Sequence, residues 1–322
     1  MKKSLRKKAP TRGRSVSRSS PSAESSSSKL FPIVGIGASA GGLEAFSDLL
    51  HHLPEKTGMA FVLVQHLDPT HGSVLPEILA RKTTIPVEEI TDGVHVLPDH
   101  IYVIPANSNM LLEDGALRLS ARIVVRGQHM PIDAFFHSLA NERGALAIGV
   151  ILSGTASDGT EGCTAIKVAG GITFAQDEAS AKYSSMPHSA VYAGCIDFVL
   201  TPKDIAKELT RIGRHPYVAT ALAKPEETSD IATGSELQTL FSLLRDASGV
   251  DFANYKQSTL QRRIKRRMVL HHLEELKDYV RYIRRNPKEL DELYSEILIH
   301  VTGFFRDPEA FNVLRTTVFP HL

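Results

Sequence analysis

The sequence predicts an α/β fold, a doubly wound and mostly parallel sheet in three layers, followed by a small all-α domain. Between residue 30 and about residue 215, short apolar runs alternate with segments of helical periodicity. This alternation is typical of parallel sheets whose crossover connections are helices. Beyond a polar linker only the helical periodicity continues. We therefore expect a Rossmann-like first domain and a helical second one.

Six apolar runs of the first part have the composition of buried strands. They are rich in Val and Ile, and Gly, Pro or Asp residues bound them. Strands that are covered on both faces of a parallel sheet have this composition, with no polar alternation. In chain order the runs are FPIVGIGA, AFVLVQH, HIYVIPA, ALAIGVILSG, GITFAQD and CIDFVLT.

Helix and turn signals lie between and after these runs. The first helix is predicted from one apolar stripe after the first strand, and Pro54 ends it. The segment MLLEDGALRLS predicts a hairpin that turns at Asp114-Gly115. The later helices are SELQTLFSLLRDASG, YKQSTLQRRIKRRMVLHH, LEELKDYVRYIRRN and PKELDELYSEILIHV.

Composition divides the chain into four parts. Residues 1–30 hold nine Lys or Arg, a single acid and few apolar groups, so they cannot offset the entropy of ordering. Pro, Ala, Thr and acids replace the apolar periodicity after residue 214. The predicted parts are a disordered basic Ser/Arg-rich tail (1–29), an α/β domain (30–214), a linker (215–235) and a helical domain (236–322).

The overall composition excludes several classes of protein. Hydrophobic residues make up 42%, charged residues 23%, and the formal net charge is +1, as in ordinary soluble domains. The sequence has no secretory signal and no apolar run of membrane-spanning length. Cys163 and Cys195 are too few for a disulfide framework or a zinc site. These observations predict a cytoplasmic protein with no metal, no membrane insertion and no specific nucleic-acid partner.

The turn after the first strand fits two incompatible patterns. Gly35-x-Gly37-x-x-Ala40 fits the dinucleotide-binding pattern, in which glycines let the backbone approach a pyrophosphate. Gly37-Ala38-Ser39-Ala40-Gly41 fits the G-x-S-x-G pattern, in which a strand-to-helix turn exposes a nucleophilic serine. The turn alone does not separate the two.

Polar residues at the ends of other strands favour the second pattern. Ser39 follows the first strand, His66 ends the second, and Asp158 lies in the loop after the strand AIGVILSG. Nucleophile, general base and orienting carboxylate would then meet at the carboxyl edge of one sheet. A cofactor site would instead need an acid at the second strand end, where Gln65-His66 stands. Backbone amides after Ser39, at Ala40 and Gly41, are candidate oxyanion donors.

Residues 31–213 resemble the catalytic domain of the chemotaxis protein-glutamate methylesterases, the CheB family. The stretches that carry the resemblance are VGIGASAGGLEA, VLVQHLDP, HIYVIPANSNM, GVILSGTASDGTEGCTAIKVAGGITFAQDEASAKYSSMPHSA and GCIDFVLTPKDIA. The resemblance implies a Ser-His-Asp hydrolase with Ser39, His66 and Asp158 as the triad. Two positions depart from the family: Ala40 where Thr is frequent, and Thr155 where a Met lies near the oxyanion site. A receiver domain, usual before such an esterase, is not expected here.

Residues 237–318 resemble the N-terminal helical domain of chemotaxis receptor methyltransferases, the CheR family. GVDFANYKQSTLQRRIKRRM and HVTGFFRDPEAF carry this resemblance. It implies receptor contacts for Arg263, Arg266 and Arg267, and places Arg306 in the remnant of an adenosylmethionine pocket. Without the resemblance, the basic segment indicates a solvated helix face. We expect one end of an esterase–transferase fusion, with S-adenosylmethionine used only if a downstream transferase domain were present.

The two resemblances together imply hydrolysis of glutamyl methyl esters on methyl-accepting chemotaxis receptors. Deamidation of receptor glutamines would use the same attack, and the esterase would need no cofactor. Sensor kinases are a second class of expected partner. Two alternatives stay open: a non-catalytic module that docks on receptors or kinases, and a dinucleotide-binding oxidoreductase.

Overall fold

The computed structural model describes most of the predicted α/β domain and much of the helical one. The tail, nearly all of the linker and Arg306 lie outside the described residues. The described residues from Phe31 onward belong to one compact unit that includes parts of both domains. The described residues are 30–66, 74–122, 129–215, 235–252 and 255–298.

A seven-stranded parallel sheet forms the centre of the α/β domain. Its spatial order is β3-β5-β2-β1-β8-β9-β10, and every neighbouring pair is parallel. The six predicted strands are confirmed as β1, β2, β5, β8, β9 and β10, while the short edge strand β3 was not predicted. The bounds are β1 Ile33–Ala38, β2 Ala60–Gln65, β3 Val87–Glu89, β5 Ile101–Val103, β8 Ala147–Ile151, β9 Ile172–Gln176 and β10 Phe198–Leu200.

Helices cover both faces of this sheet, so the predicted three layers are confirmed. One apolar core joins the sheet to α1, α2 and α6, and a second joins it to α3, α4 and α5. Burial of apolar surface on both faces explains why the strands are almost continuously hydrophobic. The bounds are α1 Gly42–His51, α2 Leu75–Ala80, α3 Pro131–Arg143, α4 Thr160–Ala169, α5 Ser185–Tyr192 and α6 Pro202–Arg214.

The predicted hairpin is present in a separate antiparallel sheet. It pairs β6 (Ser108–Glu113) with β7 (Ala116–Ala121), and β4 (Val94–His95) lies on the other side of β7. Asp114 and Gly115 have φ of 51° and 75°, as a two-residue turn with left-handed central residues requires.

The described part of the helical module consists of four helices with a core of their own. Leu240, Phe252, Leu260, Tyr279 and Leu293 are almost fully buried in it. Gly249 has φ 73° after the first helix, a left-handed conformation that glycine adopts without strain. The bounds are α7 Ser235–Ser248, α8 Gln257–Leu270, α9 Leu276–Arg285 and α10 Pro287–Leu298.

The glycines of β1 allow α3 to lie directly on the sheet. A Cβ atom at Gly35 would stand 2.6 Å from Cε1 of Phe136, and one at Gly37 would stand 2.5 Å from Cγ2 of Ile132. Both distances are too short for carbon atoms, so only glycine permits this packing. The position of α3 matters because its first turn borders the site described below.

We expect Gly37→Ala to destabilise the protein by about 1–3 kcal/mol, because the added methyl group overpacks the contact with Ile132. Urea unfolding measures the change. The matched control is the double variant with Ile132→Ala, which removes the opposing branch. The double variant should lose less free energy of unfolding than the sum of the losses of the two single variants. Strictly additive losses would contradict a direct contact between the two positions.

Candidate active site

The site lies where the winding of the sheet reverses direction. β1 lies between β2 and β8, and the chain continues outward from this centre on both sides. Ligands of open α/β sheets bind outside the carboxyl ends of strands at such a switch point. Ser39 follows β1, His66 follows β2 and Asp158 lies in the loop after β8. The topology thus brings the three predicted residues to one crevice.

The backbone around Ser39 is tied to the neighbouring strand end. The Ser39 N–H donates to the Ser153 carbonyl at 3.0 Å, and the Ser153 hydroxyl donates to the Ala40 carbonyl at 2.9 Å. Gly41 has φ 76°, and a Cβ atom there would lie 2.6 Å from Oγ of Ser153. A glycine is therefore required for this turn to lead from Ser39 into α1.

Hydrogen bonds connect the three side chains in a line. Nδ1 of His66 lies 3.3 Å from Oγ of Ser39, and Nε2 of His66 lies 2.8 Å from Oδ2 of Asp158. A carboxylate only accepts, so Nε2 carries the proton and the lone pair of Nδ1 faces the serine hydroxyl. The order of these contacts matches the geometry of a Ser-His-Asp triad, and the catalytic roles of the three residues stay a prediction.

Asp158 is fully buried and is held by the start of α3. Its carboxylate accepts the backbone N–H groups of Ile132 at 3.0 Å and Asp133 at 2.9 Å, besides the imidazole. Free N–H groups at a helix N-terminus, together with the helix dipole, stabilise a negative charge. Three donors thus fix the carboxylate that orients His66.

Asp133 is a second buried carboxyl group beside Asp158. Burial raises the pKa of Asp133 to about 7; the N–H of Gly162 opposes the rise, while the charge of Asp158 adds to it. Its Oδ1 accepts that N–H at 2.7 Å. Asp133 thereby links the first turns of α3 and α4 around the triad aspartate. Proline at the start of α3 followed by an acid in its first turn is the signal that could have indicated it.

Asp133→Asn is expected to flatten the dependence of stability on pH. The folded protein holds the Asp133 proton more tightly than the unfolded chain, so its contribution is complete below about pH 4 and is lost as pH rises through about 7. Asparagine keeps an acceptor for Gly162 without this titration. The free energy of unfolding in urea should change less between pH 5 and pH 8 in the variant than in the wild type. The two changes should differ by on the order of 2 kcal/mol. Equal differences in both proteins would contradict this, and Glu113→Gln, at an exposed position of the antiparallel hairpin, is the control.

Three further residues near the triad were missed by the sequence analysis. His129 lies with its ring 6.4 Å from that of His66, and its Nε2 is 2.6 Å from Oδ1 of buried Asn109. Burial, and next the charges of Arg122 and His66, lower the pKa of His129, which favours a neutral ring. Met186 is buried in α5 beside Gly154 and Ser39. None belongs to a sequence pattern that predicts it.

The predicted oxyanion donors lie around Ser39. The Gly42 N–H already donates to the Ser39 carbonyl at 2.9 Å. Among the described residues, none accepts a hydrogen bond from the backbone N–H of Ala40 or Gly41. Thr155 is exposed in the loop that leads to Asp158. The role of these three residues stays a prediction.

Two basic residues of α8 are buried inside the molecule. Arg263 and Arg266 are 1% and 0% exposed, and Arg267 is paired with Glu289. Carbonyls and acids inside the molecule compensate the charge of Arg263 and Arg266. The receptor contacts expected of the three arginines stay a prediction.

Protein side chains fill the space beside the glycines of the dinucleotide-binding pattern. Phe136 and Ile132 occupy the space above Gly35 and Gly37, where a cofactor pattern needs room for a pyrophosphate. Within the described stretches, no group of three or more His, Cys, Asp or Glu is arranged to hold a metal ion. Within them, too, every helix is too short or too polar to cross a bilayer.

Comparisons with known proteins found matches for both the α/β part and the helical part of the chain. A family model described as CheR methyltransferase, all-alpha domain, matches residues 235–298. A Rhodobacter capsulatus protein of 104.1 kDa is 35% identical over 77% of this chain, which spans 28% of that protein. The protein-glutamate methylesterase/protein-glutamine glutaminase of Escherichia coli is 34% identical over 55% of this chain, and the one of Photorhabdus laumondii is 38% identical over the same share. The chain spans about half the length of these two enzymes.

A solved structure and a second family model cover the α/β domain. The Thermotoga maritima CheB methylesterase catalytic domain superposes with a TM-score of 0.54 and 28% identity, over 57% of this chain and 99% of that one. The model described as CheB methylesterase matches residues 34–209, more than half of the chain. Because this match covers more than half of the chain, the chain belongs to the CheB methylesterase family.

Proposed function

We propose that the protein is a serine hydrolase that cleaves glutamyl γ-methyl esters on methyl-accepting chemotaxis receptors. The observation that carries the proposal is the hydrogen-bonded line from Ser39 through His66 to buried Asp158. The names of the Escherichia coli and Photorhabdus relatives support the substrate. The reaction serves adaptation in chemotaxis signalling, in the cytoplasm, and both cysteines of the chain are free, as expected there.

The reaction proceeds through an acyl-enzyme. Nδ1 of His66 takes the proton of Ser39 as its oxygen attacks the ester carbonyl, and Asp158 stabilises the imidazolium that forms. The imidazolium then returns the proton to the methoxy group, which leaves as methanol. Water attacks the acyl-enzyme with the same base, and the products are a glutamate and free Ser39. An amide substrate follows the same steps and releases ammonia, as the second half of the relatives' name implies.

Backbone amides stabilise the oxyanion in both steps. We assign this role to the N–H groups of Ala40 and Gly41 at the start of α1, where the helix dipole adds positive potential. Thr155, on the facing loop, is the third candidate. The reaction as written requires no cofactor. We do not assign methyl transfer to this chain, because its match to the methyltransferase is to the all-alpha domain.

The proposal is tested by following methanol release from methylated receptor together with labelling of the protein by a fluorophosphonate. We expect turnover by the full chain and labelling at Ser39, and His66→Ala should slow both by at least about 100-fold. Receptor binding without methanol release or labelling would overturn the proposal and favour a docking module for receptors or sensor kinases. Tight NAD binding would favour the oxidoreductase alternative.

A further inference from the structure

The helical module packs on the edge of the sheet that lies opposite the triad. The triad follows the carboxyl ends of β1, β2 and β8, whereas α8 contacts the last residues of α4 and the residues just before β9 and β10. These are amino-terminal strand ends. The docked face of α8 is therefore remote from any ester bound at Ser39.

Arg263 caps the C-terminal end of α4. Its guanidinium donates to the carbonyl of Lys167 at 3.2 Å and to that of Val168 at 2.6 Å. The last carbonyls of a helix lack partners within the helix and carry partial negative charge, so a cation there is stabilising. Two neighbouring carbonyls match the forked donors of arginine.

Arg266 makes a second contact with the amino-terminal edge of the sheet. It donates to the Gly171 carbonyl at 2.8 Å and to the Asp197 carboxylate at 2.5 Å, and Glu296 of α10 lies 3.0 Å away. Asp197 is itself held by the N–H and hydroxyl of Thr173, both at 3.0 Å. Removal of one partner from such a buried pair is costly.

A third contact joins α8 to α6. Val269 is fully buried in the core beneath α1 and α6, and its carbonyl accepts a hydrogen bond from Arg211 at 2.8 Å. His215 lies 3.1 Å from the carbonyl of Leu273. Apolar burial and charged contacts together hold the module at this edge.

The triad aspartate lies just before the N-terminal end of α4. Asp158 and Gly159 directly precede α4, and the Gly162 N–H in its first turn holds Asp133, whose backbone holds Asp158. A helix of ten residues is about 15 Å long and rigid at this length. One short helix thus connects the docking contact of Arg263 with the loop of Asp158.

We propose that the helical module is an internal brace of the esterase, which acts by fixing α4 from the edge opposite the triad. This inference rests on the proposed function, whose active site it supports. Arg263 and Arg266 are positioning residues in it: they hold α4, and α4 keeps the Asp158 loop in the geometry that His66 requires. The helical module of this chain then covers the amino-terminal edge of the sheet. Receptors therefore do not bind the face of α8 that carries these two arginines.

Labelling of Ser39 by a fluorophosphonate tests the brace in the full chain, because the probe reports on the triad and needs no receptor. Arg263→Ala and Arg266→Ala are each expected to slow labelling about tenfold and to speed amide exchange in residues 160–171. Arg263→Lys keeps the charge but donates to fewer carbonyls, so its labelling rate should lie between those of the wild type and of Arg263→Ala. Exposed Arg284→Ala, in the same module, is the matched control and should leave both measurements unchanged.

Three outcomes would overturn the brace: unchanged labelling while exchange in α4 rises, unchanged exchange in both alanine variants, or an equal effect of Arg284→Ala. Far-UV circular dichroism confirms that each variant is folded. If Arg266→Ala unfolds, Asp197→Asn removes the same ion pair from the α/β side and must show the slower labelling. An unlabelled wild-type protein would instead count against the hydrolase proposal itself.

Discussion

Replacement of Ser39 with alanine is expected to lower methanol release from methylated receptor by roughly 10⁴–10⁶-fold. The change removes the nucleophilic oxygen that lies 3.3 Å from Nδ1 of His66 and little else. The backbone bonds of the turn to Ser153 do not involve this hydroxyl, so the free energy of unfolding should stay within about 0.5 kcal/mol. A coupled assay for methanol and urea unfolding measure the two quantities.

The matched control for Ser39 is Ser157→Ala. Ser157 is exposed one residue before Asp158, and it lines a cleft of about 480 Å³ together with Met130, Asp133 and His188. Loss of its hydroxyl leaves the triad bonds intact, and we expect activity within about threefold of wild type. Comparable turnover by Ser39→Ala and wild type would show that the nucleophile lies elsewhere.

Asp158→Asn is expected to lower the same rate by roughly 10³–10⁴-fold. The carboxylate accepts three N–H groups, from His66, Ile132 and Asp133. A carboxamide offers one oxygen, so at least one of those N–H groups must face an NH₂ donor. Either the imidazole loses its orienting acceptor and adopts the wrong tautomer, or the start of α3 is displaced.

A control variant separates the loss of the orienting acceptor from a general loss of negative charge. Exposed Glu161→Gln, three residues further along the chain, removes the same charge near the start of α4 and should alter the rate by less than about threefold. Activity of Asp158→Asn close to that of wild type would contradict the orienting role.

Local chemistry explains why the fold was largely predictable. Val- and Ile-rich runs such as AFVLVQH became parallel strands, because a sheet covered by helices on both faces imposes that composition. Asp114-Gly115 formed the hairpin turn, because both residues tolerate positive φ. The strands β3 and β4 have three and two residues, too few for a period to be visible in sequence.

The candidate triad was predictable for a topological reason. Parallel strands place their carboxyl ends at one edge, so residues that follow separate strands converge there. Ser39, His66 and Asp158 satisfy this rule, and the structure brings their side chains within hydrogen-bond distance. Asp133 and His129 were missed, because their places depend on how α3 and the antiparallel hairpin pack against the site.

Arg263 and Arg266 mark the limit of sequence reasoning in this protein. The apolar stripe of α8, Leu260, Ile264 and Met268, packs in the core of the helical module. It does not indicate that the α/β domain also covers the face that carries the two arginines. The sequence by itself determined the order of strands and helices and the three residue types at the switch point, since these follow from local periodicity and strand ends. Only the tertiary structure decided which cations are buried, because carbonyls and carboxylates from distant segments, Gly171 and Asp197 among them, compensate their charge.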